Sequence, residues 1–131
     1  MAFAINMPDG STEIIDPTSL LWVREALPEE WNGANALRFG EGTLYTREPL
    51  DSLVHRFRSA GVPICQFTPP AGPVHLMVSA KKVIEIEPSN AAIFHDNARA
   101  VLKFSLKTRI AVRETQEEAK AILSAAMQPA V

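Results

Sequence analysis

Cys65, His75, His95 and Asp96 are the side chains from which a thiol nucleophile or a metal site would have to be assembled in this chain. An imidazole beside a cysteine lowers the thiol pKa, and a carboxylate behind the imidazole fixes its tautomer. No local signature joins these four. Cys65 lies in a proline-rich run, and His75 and His95 fall at turns. One cysteine and three scattered histidines do not supply the three or four ligands at characteristic spacing that zinc needs. The expectation is a packed or surface cysteine, with no catalytic residue, no metal and no cofactor.

A second set of side chains suits binding better than catalysis. Lys103, Lys107, Arg109 and Arg113 alternate with Leu102, Phe104, Ile110 and Val112, so one face of a hairpin is basic and the other apolar. Arg38 and Arg47 occupy two matching positions in the first half. Such a face either receives phosphate or acidic groups or is a solvated outer face whose cations discourage edge pairing. Trp31 stands in a polar loop among Glu29, Glu30 and Asn32. An aromatic there either folds back onto the protein or anchors a partner. The candidate partner-binding set is therefore Trp31, Glu29, Glu30, Arg38, Arg47, Lys103, Lys107, Arg109 and Arg113. Gly40-Glu41-Gly42 lacks the strand-loop-helix setting of a phosphate loop and is only a turn.

The elements that must position these residues come in two similar series. Asp16-Pro17-Thr18-Ser19 is answered by Glu87-Pro88-Ser89-Asn90, Leu37-Arg38-Phe39 by Leu102-Lys103-Phe104, and Arg47-Glu48 by Arg113-Glu114. In the first half, Phe3, Ile5 and Met7 alternate with Ala4 and Asn6, which predicts a strand. Pro8-Asp9-Gly10-Ser11 predicts a turn, and residues 12–15 and 19–25 two further strands, with Trp22 in the core. Residues 28–33 form an enlarged loop, and residues 37–47 a hairpin. Leu50, Leu53, Val54 and Phe57 then give the apolar stripe of a helix closed by Gly61.

Residues 61–73 hold four prolines and two glycines and predict an extended linker. The second half repeats the plan. Leu76 and Val78 match Ile5 and Met7, residues 83–86 match the strand before Asp16-Pro17, and Ala92 to Phe94 make the next strand. His95 to Ala98 form a turn, and residues 101–112 a hairpin turning near Leu106-Lys107-Thr108. Thr115-Gln116-Glu117-Glu118 is a capping box that opens a helix striped by Ala119, Ile122, Leu123 and Ala126. The expected fold class is α+β: two tandem repeats (residues 1–60 and 74–131), each of about four short antiparallel strands plus one C-terminal helix. They are expected to be related by a pseudo-two-fold and to share one continuous core.

Composition narrows the function classes. The 131 residues are 47 % apolar, which suits one globular domain and excludes disorder. No apolar run approaches the roughly 18 to 20 residues of a membrane span, and the first residues lack the regions of a signal peptide. A single cysteine excludes an internal disulfide, which fits a reducing compartment such as the cytoplasm. Residues 1–60 carry five Lys/Arg against nine Asp/Glu, or −4, and residues 61–131 eight against six, or +2. That asymmetry suits docking more than a dedicated nucleic-acid footprint.

Several strings of the second half have a family likeness. Lys82-Val83-Ile84-Glu85-Ile86-Glu87-Pro88-Ser89, Val101-Leu102-Lys103-Phe104 and Ile110-Ala111-Val112-Arg113-Glu114-Thr115-Gln116-Glu117-Glu118 resemble the small bacterial FlbD-like proteins. The resemblance covers residues 76–123 and extends more faintly to residues 5–58. More distantly, Thr46-Arg47-Glu48-Pro49-Leu50-Asp51-Ser52-Leu53 is similar to the LytTR family of DNA-binding domains. The first resemblance implies a non-enzymatic, cytoplasmic accessory protein of bacterial type, acting in regulation or assembly through a protein partner or self-association. The second implies the alternative, a nucleic-acid-binding regulator using the basic hairpin of the second half.

Overall fold

The structure, a computed structural model, describes residues 2–25, 33–40, 42–70, 75–89 and 97–127. Within them the fold is α+β, with ten strands in three antiparallel sheets and two helices. The first hairpin joins β1 (Phe3–Asn6) to β2 (Thr12–Ile15), with Phe3 opposite Ile15. Its turn is built as the sequence predicts. Gly10 takes φ +91°, and Asp9 Oδ1 accepts from Ser11 N at 2.9 Å and Ser11 Oγ at 2.6 Å. A 3-10 turn (Pro17–Ser19) follows, where Asp16 accepts from Thr18 N at 3.0 Å.

Next come β3 (Leu20–Glu25), β4 (Asn35–Phe39), β5 (Gly42–Thr46) and helix α1 (Leu50–Ser59). Gly61 ends α1 at φ +87°, a conformation that costs glycine little. The strand expected at residues 92–94, the loop at residues 28–32 and the turn positions 95 and 96 lie outside the described residues.

Residues 61–73 differ from expectation. The run holds β6 (Ile64–Phe67), an edge strand whose Cys65 and Phe67 are buried. The prolines flank the strand instead of interrupting it. Ile64, Cys65, Gln66 and Phe67 keep their N–H groups and alternate faces, which is enough for a short edge strand. β6 pairs with β7 (Leu76–Ser79), a second 3-10 turn spans Ala80–Lys82, and β8 (Glu85–Pro88), β9 (Ala100–Lys103), β10 (Arg109–Val112) and α2 (Gln116–Met127) complete the chain.

The order strand, strand, 3-10 turn, three strands, helix thus occurs twice, with five strands in each run where about four were expected. The strand matching β1 is β6, and the match of Leu76 and Val78 is therefore with β2. Leu37 and Leu102 each lie in the middle strand of a three-stranded meander, opposite Leu44 and Ile110 respectively.

The sheets mix the two runs. The central one has the order β5-β4-β3-β7-β6, so β3 of the first run pairs with β7 of the second at Trp22↔Val78, Val23↔Met77 and Arg24↔Leu76. The others are β1-β2 and β10-β9-β8. Alternation along β3, β6 and β7 sends side chains into two apolar clusters, where one continuous core was expected. Ile5, Leu20, Val23, Leu37, Leu53, Phe57 and Ile64 pack under α1. Leu21, Cys65, Phe67, Leu76, Val78, Leu102, Val112 and Ala119 pack with α2. Each cluster draws on both halves of the chain.

Candidate functional site

The thiol reading fails at Cys65. Its side chain is buried, Sγ contacts the Val78 carbonyl at 3.5 Å, and burial pushes its pKa up to about 11. A thiol so placed stays protonated and unreactive at neutral pH. His95 and Asp96 lie outside the described residues. His75 is far from idle: its backbone N–H donates to Glu25 Oε1 at 3.0 Å and its Nδ1 meets the same oxygen. Those bonds from His75 lower the Glu25 pKa. The pair bridges β3 and the start of β7 beside a groove of about 710 Å³ lined by Asn35, Asp51, Gln66 and Met77. Among the described residues no three His, Cys, Asp or Glu side chains converge on a metal position.

Three of the four cations of the hairpin, Lys103, Arg109 and Arg113, are engaged. Glu85 and Glu87, on the neighbouring strand β8, lie opposite Lys103 and Val101 of β9. Arg109 Nε donates to Glu87 Oε1 at 2.6 Å and Nη1 to the Leu106 carbonyl at 2.7 Å. That hydrogen bond lowers the Glu87 pKa. Lys103 Nζ stands 3.6 Å from Glu85 Oε2. Arg113 donates through Nε and Nη2 to the Pro70 carbonyl at 3.2 and 3.0 Å. Lys107 stands exposed in the turn beside Leu106, which is 81 % exposed.

The matching cations of the first run do not join this face. Arg38 lies half-buried on β4, with Nη1 3.5 Å from Thr43 Oγ1 and Nε buried without a partner. Arg47 is exposed beyond β5. β4 and β5 belong to the central sheet and β9 and β10 to the three-stranded one, so the two sets of cations stand on or beside different sheets. Trp31, Glu29 and Glu30 lie outside the described residues.

Glu48 and Glu114, set side by side by the matching strings Arg47-Glu48 and Arg113-Glu114, do different work. Glu48 accepts from Ser52 Oγ at 2.7 Å and from Arg56, whose Nη2 donates to the Ala4 carbonyl of β1 at 2.7 Å. Glu114 instead accepts from Thr68 N and Oγ1 at 3.0 and 2.9 Å, tying the end of β10 to the residue after β6.

The features that sequence reasoning missed are apolar. Ile14 on β2 is 69 % exposed, and Ile84, just before β8, is 65 % exposed. β2 pairs only with β1, and β8 only with β9, so among the described residues each leaves one edge open. Beside β2 runs a groove of about 630 Å³ lined by Ile14, Asp16, Leu21, Phe39, Leu44 and Lys82. A signal existed. Ile14-Ile15 and Val83-Ile84 are adjacent apolar pairs, and a strand can turn only one of two neighbours inward.

Among the described residues no helix is long and apolar enough to cross a membrane. No protein-family model matches the chain, and neither a curated protein nor a solved structure was found similar to it.

Proposed function

We propose that this is a non-enzymatic protein of regulatory or assembly type that works through protein–protein contacts. The observation that carries the reading is the pair of open strand edges flanked by the exposed Ile14 and Ile84. Large apolar side chains beside a strand edge that no other described strand covers are the chemistry of strand addition. The exposed Leu106 at the β9–β10 turn adds a further apolar tip to the three-stranded sheet. A cytoplasmic setting agrees with a lone buried thiol.

The alternative, nucleic-acid binding by the basic hairpin, draws on cations already held by Glu85, Glu87 and the Pro70 carbonyl. A phosphate would have to displace these partners. Two measurements test the reading. A photo-crosslinking residue at Leu106 or Ile14, placed in cells of the source organism, should give discrete protein adducts. Fluorescence anisotropy with labelled duplex DNA at low salt should show no binding. Binding that weakens steeply with salt and disappears on neutralising Lys103, Lys107 and Arg109 would replace the proposal with the nucleic-acid reading.

A further inference from the structure

The chain itself shows what an open edge of this kind accepts. In the central sheet, the third strand of the first run (β3) pairs antiparallel with the second strand of the second run (β7). The two strands left over are the second strand of the first run (β2) and the third of the second (β8). They are the matching pair with the runs exchanged. Among the described residues each pairs with a strand on one side only; on the outer side of β8 the Ile86 carbonyl accepts from Gln116 Nε2 of α2 at 3.4 Å, a side-chain bond that a paired strand would replace.

The correspondence holds residue by residue. Trp22, Val23 and Arg24 lie opposite Arg38, Leu37 and Ala36, just as Glu85, Ile86 and Glu87 lie opposite Lys103, Leu102 and Val101. In the two hairpins, Phe3↔Ile15 matches Cys65↔Val78, and all four side chains face the cluster under their own run's helix. Ile14 therefore stands where Met77 stands, and Ile84 where Leu21 stands. Met77 and Leu21 each cross the β3–β7 seam into the cluster under the other run's helix. Ile14 and Ile84, at the equivalent places, are exposed. The length agrees as well. The β3–β7 seam has three pairs and ends at Arg24. On β8 the equivalent residue is Glu87, and the next is Pro88, which has no N–H to extend a ladder.

We infer that β2 and β8 are the self-association surface of this protein: β2 of one copy pairs antiparallel with β8 of a second, and the reciprocal seam forms at the same time. The inference rests on the protein-contact reading and names its partner. A second copy is the occupant because it presents both complementary edges at once. The two seams then close on a two-fold axis and leave neither edge open. In this arrangement Ile86 lies opposite Ile14, Glu85 opposite Ile15 and Glu87 opposite Glu13. Arg109 already neutralises Glu87, so the last pair does not set two bare carboxylates together. The result is a five-stranded sheet of order β10-β9-β8-β2-β1, the counterpart of the central sheet, with strands from two chains.

The full chain tests this directly. Sedimentation equilibrium should report a reversible dimer, and Ile14→Lys or Ile84→Glu should return it to monomer with an unchanged circular dichroism spectrum. Both side chains are exposed, so neither change threatens the fold. In a Cys65→Ala background, mixing I14C chains with I86C chains under oxidising conditions should give a disulfide-linked heterodimer. A chain that stays monomeric at every concentration overturns the inference. So does a disulfide that forms only within single chains carrying both cysteines. A monomer that still photo-crosslinks to another protein sinks the self-association alone. A dimer that also binds DNA sinks only the broader reading.

Discussion

The β3–β7 seam and the open edges of β2 and β8 are made of the same kinds of strand, yet one is closed and the other is bare. At the closed seam, Val23 and Met77 lie opposite each other and feed one cluster, while Trp22 and Val78 feed the other. Trp22 also packs against Phe104 with ring centroids 5.1 Å apart and the rings tilted by 49°, which fastens the end of the three-stranded sheet to the central one. At the bare edges the residue matching Trp22 is Glu85, whose carboxylate turns to Lys103. A carboxylate cannot seal an apolar seam, whereas an indole can. The difference teaches that strand order sets where a seam can form, and the side chains at two or three positions decide whether the chain closes it alone.

The harshest way to break this comparison is to remove one side of the closed seam. A chain ending at Gly61 loses β7 and, with it, the Val62, Ile64 and Met77 contribution to the cluster under α1. β3 would become an edge strand with Trp22 bare. The expected outcome is no cooperative thermal transition. A cooperative melt from that fragment would mean that the first half completes its own core and that the seam merely docks two finished units.

Point substitutions sharpen the same contrast. Leu76 is 1 % exposed on the closed seam and Ile14 is 69 % exposed on the open one. Leu76→Ala should cost about 2 to 5 kcal/mol through lost burial and the cavity left behind. Ile14→Ala should change stability by less than about 0.5 kcal/mol in dilute solution. Urea denaturation with unchanged m-values reads both. Equal losses would show that β2 is closed against another strand after all.

Much of this architecture was legible in the sequence, because local signals and tertiary outcome agree there. The Asp9-Gly10 turn, the stripe of Leu53, Val54 and Phe57, the Gly61 stop and the Thr115–Glu118 box were all read from spacing. Each answers to a short-range rule. The Pro-rich run misled because prolines were weighed by number and not by place. All four lie outside Ile64–Phe67. The string matches before the hairpins fall about one element out of step with the observed element order, because short strings such as Asp16-Pro17 and Glu87-Pro88 resemble each other without occupying the same place. The ladder registers, which depend on residues far apart in sequence, place Glu25 level with Pro88 instead. The candidate cations were found by type, but their glutamate partners on β8 belong to a strand pairing that no local pattern states.

Helix α2 packs on β6 and on β8, one at the edge of the closed sheet and one at the open edge. Its first turn carries the capping box, with Thr115 N donating to Glu118 Oε1 at 3.0 Å and Glu118 N to Thr115 Oγ1 at 3.1 Å. Helix α1 begins after Pro49 with no side-chain cap of that kind. Thr115→Ala should therefore cost about 1 kcal/mol, read as a lower urea midpoint. It should also weaken any dimer, because β8 would rest on a frayed helix. Loss of stability with an unchanged dimer constant would separate α2 from the open edge.

The smallest effect belongs to the hydrogen-bonded clasp of His75 and Glu25 at the end of the closed seam. Hydrogen bonds from His75 hold the Glu25 pKa below its ordinary value of 4.5. A carboxyl whose folded pKa is depressed adds stability that is fully present above the unfolded value and is lost as pH falls through the folded one. The clasp should therefore work at neutral pH and fail below about pH 4. Glu25 is 44 % exposed and His75 57 %, so solvent screens the pair and the effect should stay under about 1 kcal/mol. Glu25→Gln should lower stability by that small amount at pH 6 and match the parent chain at pH 3. The corresponding position on the open edge is Pro88, which has no side-chain charge to titrate. If the pH dependence of unfolding were the same in the Gln variant at every pH, the His75–Glu25 clasp would add nothing to the closure of the β3–β7 seam, which would rest on its backbone ladder and apolar packing.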